Sequence, residues 1–246
     1  SKTYFDFIIS VAKKRFIVNP DTFNIVEQKM LLMLYYDIWQ SGSSYKSIIE
    51  AFSSLSRDIV MIDEVVEVLS ILADKISFIE TSINLHYEQP LMLHSRYTRD
   101  QIMAAFSFSS FHKKHSNREG VAENKNLNTE LLFIDLIKSE EDFSPTTMYD
   151  DYAISETTFH WQSQNKTRAD RGKGLTYIHH KNIKKRILLF VREKAKDQFS
   201  NTRGYVFIGE GDIRNYYGSQ PMSIEWELKE PIPPYLWNES AKMKTG

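Results

Sequence analysis

The chain has 246 residues, of which 41% are hydrophobic and 26% are charged, and its formal net charge is −1. This composition is typical of a globular protein with one large or two smaller domains. No apolar run approaches the roughly 18 residues that a bilayer span requires, which excludes a transmembrane helix in this sequence. The absence of cysteine excludes disulfides and cysteine metal sites and fits a reducing, cytoplasmic compartment. Because the chain begins Ser1-Lys2-Thr3 rather than with Met, we expect it to be a fragment of a longer protein.

The first 95 residues have the periodicity of helices. In "TFNIVEQKMLLMLYYDIWQ" apolar side chains recur every three or four positions, and Asp21 is placed to cap the start. After the turn signal "SGSSYKS", two more amphipathic segments follow, "SSYKSIIEAFSSL" and "IDEVVEVLSILADKI". The second presents one apolar face, made of Val65, Val68, Leu69 and Leu72. Residues 1–95 are therefore predicted to form a helical bundle whose Met and aromatic side chains lie in its core.

From about residue 97 the pattern changes. "YTRDQIMAAF" opens with Thr98 and has Gln101 three positions on, the capping-box spacing of one short helix. Four later segments have strand composition or alternation: "ELLFIDLI" (130–137), "RILLFVRE" (186–193), "GYVFIGEGDI" (204–213) and "MSIEWELK" (222–229). We predict an α+β chain in which 1–95 is the helical bundle. Residues 96–246 are predicted to form a mainly antiparallel sheet, curled into a β-barrel, with one or two helices.

Charge is unevenly distributed along the chain. Residues 164–203 contain 12 basic and 3 acidic side chains, a local net charge of +9. A local excess of this size is the electrostatic footprint expected of a nucleic-acid contact. A solvated basic hairpin has the same composition, so charge alone leaves the two interpretations open.

The sequence carries no strong catalytic motif. It has no phosphate-binding Gly-rich loop followed by Lys-Ser/Thr, and "GEGDIR" lacks the third glycine of the dinucleotide fingerprint. His179 and His180 point to opposite faces if they lie on a strand, so both cannot easily bind one metal ion. Asp150, Asp151 and Glu156 could hold Mg²⁺ for phosphodiester cleavage, although an acidic loop is the commoner reason for such a run. We predict no catalytic residues, no metal and no cofactor on this chain.

The segment "FHWQSQNKTRADRGKG" has the chemistry of a nucleic-acid contact. Trp161 offers a ring for stacking, and Gln162, Ser163 and Gln164 offer donors and acceptors for a base edge. On a strand, Trp161 and Ser163 share one face and the two glutamines share the other, and we favour the Trp161 face. A core position is the open alternative for Trp161. Six basic side chains are candidates for phosphate contacts: Lys166, Arg168, Arg171, Lys173, Lys184 and Lys185.

Several segments carry a resemblance to a known family. "FSPTTMYDDYAISETTFHWQSQNKT", "ILLFVRE", "YVFIGEGDI" and "GSQPMSIEWELKEPIP" resemble the C-terminal region of SauUSI-type, ATP-dependent, methylation-directed type IV restriction enzymes. The resemblance covers roughly residues 97–236, and it implies an SRA-like (PUA-related) barrel that rotates 5-methylcytosine out of the duplex. Residues 1–95 would be the helical coupler that precedes this barrel. The motifs of the family's phospholipase-D-like nuclease and helicase are absent, which implies a reader of DNA rather than the part that cuts it.

The resemblance and the residues together define a candidate base pocket. Tyr149, Tyr152 or Trp161 could stack on the base, while Asp150 or Asp151 could accept from the cytosine N4 amine. Burying one methyl group is worth only about 0.8 kcal/mol, so we expect modest discrimination by the isolated chain. The expected partners are methylated double-stranded DNA and the helicase and nuclease domains of the parent protein, with no membrane. Two alternatives remain: a coupling module that docks the motor without reading a base, and a nuclease that uses Asp150 and Asp151.

Overall fold

A computed structural model describes residues 1–116, 118–136 and 151–237. The chain divides into two compact units, Ser1–Ser116 and Asn117–Gly246. The short helix that follows Thr98 lies in the first unit, whereas the sequence prediction places the domain boundary between residues 95 and 96. One reason is a partly buried hydrogen bond from Gln101 Nε2 to Asp37 Oδ2 (2.8 Å), which ties this helix to the preceding ones.

The first unit is helical, as predicted. Its elements are α1 (Lys2–Lys13), a 3-10 turn (Pro20–Thr22), α2 (Ile25–Ile38), α3 (Ile48–Ser53), α4 (Ile59–Asp74), the two-residue strand β1 (Arg96–Tyr97) and α5 (Arg99–Ala105). Among the described helices, none is long and apolar enough to cross a bilayer.

Of the two helix caps predicted from the sequence, one is present and one is wrong. The capping box at α5 is confirmed, since Thr98 Oγ1 accepts from Gln101 N (3.2 Å) and Gln101 Oε1 accepts from Thr98 N (2.8 Å). The predicted cap of α2 at Asp21 is wrong, because Asn24 caps the helix through a reciprocal pair with Glu27. Asp21 instead lies in the 3-10 turn, where its own N–H donates to Asn19 Oδ1.

Helix α4 is less buried than its pattern predicts. Of the predicted core face, Val68 is 50% exposed and Leu72 is 40% exposed. The buried positions of this helix are Ile62 and Ala73. The expectation that the whole apolar stripe lies in the bundle core is therefore wrong for these two residues.

The second unit is built on a seven-stranded sheet. Its elements are β2 (Val121–Asn124), β3 (Thr129–Asp135), β4 (Tyr152–Ala153), β5 (Thr158–Gln162), α6 (Lys173–Ile178), β6 (Arg186–Arg192), β7 (Tyr205–Tyr217) and β8 (Ser223–Leu228). The strand order is β2-β3-β6-β7-β8-β5-β4. All neighbours are antiparallel except β3 and β6, which are parallel.

The sheet is open among the described residues, so the predicted closed barrel is not formed there. Strands β2 and β4 end the path and do not pair with each other. Strand β7 has 13 residues and changes partner along its length: Val206 to Glu210 pair with β6, and Gly211 to Tyr217 pair with β8. A register shift of the kind that a β-bulge produces is present in each of these two pairings, and such a bulge bends and twists the strand locally.

The basic segment after β5 contains a short helix rather than a simple hairpin. Gly172 precedes α6 with φ of 58°, a left-handed conformation that favours glycine. The next turn presents Tyr177, 1% exposed, to the main core of the unit. The histidine pair then lies in a turn after α6, and not on a strand.

His180 is an internal hydrogen-bonding group of this unit. Its side chain is 1% exposed. The ring Nε2 accepts from the backbone N–H of Ile213 (3.1 Å), and Nδ1 therefore carries the proton that it shares with the carbonyl oxygen of Lys185 (3.2 Å). Burial lowers the pKa of His180 below its ordinary value of 6.5, which keeps the ring neutral and able to accept at Nε2.

We predict that Gly174→Ala destabilises the protein by about 1–3 kcal/mol. A Cβ atom at this position would lie 1.8 Å from the carbonyl oxygen of Arg168, so the backbone before α6 would have to move. Urea denaturation measures the loss. Gly120→Ala is the matched control, because its Cβ would have only an ordinary contact, 3.6 Å from the carbonyl oxygen of Phe133. Equal stability of the two variants would contradict the packing argument.

We also predict a pH dependence of stability that originates at His180. Since its pKa is lowered on folding, the unfolded chain binds the proton more readily below pH 6.5. The stabilising effect of the neutral His180 ring on the free energy of unfolding is fully present above that pH and is lost as the pH falls. Denaturant titrations between about pH 7.5 and about pH 5.5 should therefore show a smaller loss of stability for His180→Gln than for the parent chain. His179→Gln changes an exposed neighbour and should keep the parent slope; a parent-like slope in His180→Gln would refute the assignment.

Candidate nucleic-acid interface

Strand β5 divides the predicted site residues between two environments. Successive side chains on a strand point to opposite faces of the sheet. Phe159 is fully buried and Trp161 is 4% exposed, and both belong to the main core of the second unit. His160 and Gln162 therefore lie on the other face.

Trp161 is a core residue in this structure. Its ring packs edge-on against Tyr177 with a centroid distance of 5.5 Å, and it lies 6.3 Å from the ring of Trp226. A nucleobase needs an open ring face, and the burial of Trp161 leaves none. The geometry thus matches the core alternative for Trp161, rather than the stacking role that the sequence favours.

The opposite face carries an aromatic row that the sequence analysis did not identify. The rings of Tyr152 and His160 are stacked, with centroids 4.7 Å apart and an interplanar angle of 17°. Tyr217 approaches His160 from the other side at 6.1 Å, and its side chain is 49% exposed. Tyr152 was a predicted pocket residue, whereas the other two were not.

The pairing of four strands creates this row. Across the sheet, Tyr152 is opposite His160, His160 is opposite Glu225, and Glu225 is opposite Asn215. Two residues further along the same strands, Gln162 is opposite Ser223, which is opposite Tyr217. We call this surface the polar face; it comprises Tyr152, His160, Gln162, Asn215, Tyr217, Ser223 and Glu225. These residues are far apart in sequence, and only long-range strand register brings them together.

The amide and hydroxyl residues of the segment have different roles. Gln162 is half-buried on the polar face, and its side chain makes no hydrogen bond to any described residue. Ser163 is fully buried, and its Oγ accepts from the backbone N–H of Met222 (2.9 Å), so it joins the ends of β5 and β8. Gln164 donates to Glu119 Oε2 (3.2 Å). Of the three, Gln162 is the one whose amide is available to a ligand.

The predicted carboxylates are only partly described. Asp151 is 6% exposed, and its Oδ1 accepts from the backbone N–H of Gln162 (2.8 Å), which ties the start of β4 to the end of β5. Tyr149 and Asp150 lie outside the described residues, so their predicted pocket roles stay predictions. Glu156 is exposed. Within 1–116, 118–136 and 151–237, no three His, Asp or Glu side chains are grouped to hold a metal ion.

Two of the predicted phosphate contacts are lysines that pair with carboxylates of the sheet: Lys185 is buried, and the side chain of Lys173 is 39% exposed. Lys185 is 5% exposed and hydrogen-bonds to Glu123, and its ammonium group lowers the pKa of that carboxyl. Lys173 Nζ lies 2.8 Å from Oε1 of the fully buried Glu130. Tyr177 donates to the same oxygen (2.7 Å), and burial next to that carboxylate raises its pKa well above 10. These contacts fasten α6 to β3, and they leave neither lysine free to bind a phosphate.

The other four predicted cations lie at the surface. Lys166, Arg171 and Lys184 are exposed and form no ion pair with any described residue. Arg168 makes a two-pronged contact with Asp170, in which both distances are 2.8 Å. That carboxylate offsets the charge of Arg168. Three uncompensated cations therefore remain from the six that the sequence suggests.

Three comparisons with known proteins complete the description. No curated protein matches the chain. Among solved structures, the crystal structure of Arabidopsis thaliana SUVH6 in complex with SAM is similar over 88% of this chain and 41% of that chain, with 12% sequence identity and a TM-score of 0.40. This chain thus spans less than half of SUVH6, and so low a TM-score carries no functional argument. A family described as Domain of unknown function (DUF3427) matches residues 91–240, which is more than half of the chain. The chain therefore belongs to the DUF3427 family.

Proposed function

We propose that the second unit binds double-stranded DNA and receives a single extruded base, 5-methylcytosine, on the polar face. The observation that carries the proposal is the stacked pair of Tyr152 and His160, flanked by the half-exposed ring of Tyr217. The resemblance to the C-terminal region of methylation-directed type IV restriction enzymes supports the same function. The DUF3427 family is not assigned a function, so the proposal rests on the residues and on that resemblance.

The half-exposed ring of Tyr217 suits an extruded base, whereas His160 is 3% exposed and serves as the buried centre of the row. Extrusion costs a few kcal/mol in lost stacking and pairing. Stacking on one side chain returns about 1–3 kcal/mol, so a single ring offsets much of that cost. Tyr217 is the most exposed ring on the polar face, and Tyr152 lies beyond His160 at the other end of the row. The stacking role thus passes from Trp161 to these tyrosines.

The polar face also carries groups suited to the edge of a cytosine. Glu225 is the cross-strand neighbour of His160, and a carboxylate accepts well from the cytosine N4 amine. Gln162 adds an amide that can both donate and accept. The 5-methyl group itself contributes about 0.8 kcal/mol when buried, which is roughly fourfold in affinity. The proposed site is therefore a base reader with a modest methyl preference.

The exposed cations supply the attraction to the duplex. Each phosphate contact lowers the slope of log affinity against log salt by about 0.9. Lys166, Arg171 and Lys184 would together give a slope of about −3. All six cations of the original prediction would give a steeper slope of about −5. The difference follows from Lys173 and Lys185, which are engaged with buried carboxylates, and from Arg168, which is paired with Asp170.

In the parent protein this chain would be the reading module. We propose that it carries out no chemistry, and that it works in the cytoplasm beside a helicase motor and a nuclease supplied by other domains. A coupling module that does not read DNA is the competing function. Titration of a duplex with one central 5-methylcytosine, beside its unmethylated twin, separates the two. Saturable, salt-sensitive binding with a preference for the methylated duplex supports the reader, and no binding to either duplex rejects it.

Replacing Tyr217 tests the stacking surface. Tyr217→Ala should weaken binding by about 1–3 kcal/mol, at least fivefold in Kd, because a base loses its ring. Tyr216→Ala is the matched control: this neighbour is 43% exposed, but its side chain points to the opposite side of β7. It should change Kd less than about twofold. Fluorescence anisotropy with a labelled duplex measures both, and equal losses would contradict the assignment.

Replacing Arg171 tests the phosphate contacts. Arg171→Ala should weaken the methylated and unmethylated duplexes alike, because phosphates carry no base information, and should make the salt slope less negative by about 1. Arg168→Ala should change the slope less, since Asp170 already offsets that charge. A change in methyl preference with Arg171→Ala would show that this side chain reads the base instead.

A further inference from the structure

The first unit contains an apolar groove that the proposed function does not use. The groove has a volume of about 540 Å³. Helices α1, α2 and α4 all contribute to its walls. We call it the α4 groove; its apolar lining includes Phe5, Ile8, Leu34, Ile38, Val65 and Val68.

The groove opens onto an apolar strip of α4 that the bundle leaves uncovered. Val60 is 73% exposed, and Val68 and Ile71 are each 50% exposed. Single exposed apolar residues are common, but a series at helical spacing beside an apolar groove marks an interaction surface. Transfer of this strip out of water would be favourable for any partner that fits it.

Charge on the same helix indicates which kind of partner fits. Asp63, Glu64 and Glu67 form no ion pair with any described residue. Residues 1–95 contain 8 basic and 12 acidic side chains, a net charge of −4. A second copy of this chain would bring the same carboxylates together, and like charges in an interface are costly. Lysine and arginine side chains on a partner would instead find counterions along α4.

The dimensions of the groove indicate the form of the partner. Helix α4 has 16 residues, which corresponds to about 24 Å at 1.5 Å per residue. An amphipathic helix of three to four turns matches this length and presents apolar side chains at i, i+3, i+4 and i+7. We propose that the α4 groove binds an amphipathic helix of another protein segment, with an apolar face toward α4 and lysine or arginine on its flanks. This inference is independent of the proposed DNA-binding function.

A designed peptide tests the proposal on the full chain. The probe is a labelled 15-residue helical peptide with Leu at groove-facing positions and Lys on both flanks. Its matched control has Glu in place of every Lys. We expect saturable binding of the Lys peptide, with a Kd below about 100 µM at low salt, and at least tenfold weaker binding of the Glu peptide.

Surface variants locate the binding. Val68→Lys places a charge in the groove at a half-exposed position, and should weaken the Lys peptide at least tenfold without loss of fold. Ile79→Lys changes a 92% exposed residue that does not line the groove, and should leave Kd within twofold. Exchanging Glu64 and Glu67 for Lys should reverse the preference, so that the Glu peptide binds more tightly. Circular dichroism checks that each variant keeps its helices.

Three outcomes would overturn the proposal. The first is no saturable binding of the Lys peptide to the parent chain. The second is equal binding of the two peptides, which would show that charge does not determine binding, or unchanged binding with Val68→Lys, which would show that the peptide does not bind in the groove. The third is a dimer in light scattering that Val68→Lys dissolves, which would assign the groove to a second copy. None of these results depends on DNA, so they leave the reader function to its own test.

Discussion

The pleat of strand β5 is the constraint on which the candidate site depends. Phe159 and Trp161 both enter the core, so His160 must point the other way. Once His160 is on the polar face, strand register brings Tyr152 against it on one side and Glu225 on the other. A shift of one residue would turn the two apolar rings of Phe159 and Trp161 out of the core and put the polar side chains of His160 and Gln162 in their place, which is strongly unfavourable. Core packing thereby fixes which groups a ligand can meet.

Ion pairs with carboxylates of the fold explain why residues 164–203 offer a ligand fewer free cations than their composition suggests. A buried carboxylate is tolerated only when it is paired, and Glu130 takes its partners from Lys173 and Lys185. The same contacts hold α6 on the sheet and thus position the loop before it. Part of the local charge of +9 is therefore structural. What remains for a duplex is a small set of exposed cations, which suits modest and salt-dependent binding.

Sequence signals were reliable for features that depend on residues close together in the chain. The capping box of α5 was predicted from two residues and is present, and the four predicted strand segments all contain strands. Helix α6 was missed because it has only six residues, follows Gly172 and contains Gly174, and such glycines usually mark a loop. The parallel pairing of β3 with β6, the change of partner along β7 and the polar face all depend on long-range register. Trp161 shows most clearly the limit of prediction from sequence, since a tryptophan at this position suits a core and a base pocket equally well.

The energetic limits of the proposed reader bear on the groove in the other unit. A methyl group worth about 0.8 kcal/mol cannot by itself separate a rare modified site from the excess of unmodified DNA. For the proposed reader, discrimination would have to be amplified by a later step that depends on the base being held. Amplification requires physical coupling to the domains that carry out that step. An apolar groove with unpaired carboxylates is suited to such coupling, because a basic helix can dock in it or leave it as one unit. A module that binds DNA modestly and docks a partner helix elsewhere is therefore more consistent with these magnitudes than a high-affinity reader that acts alone.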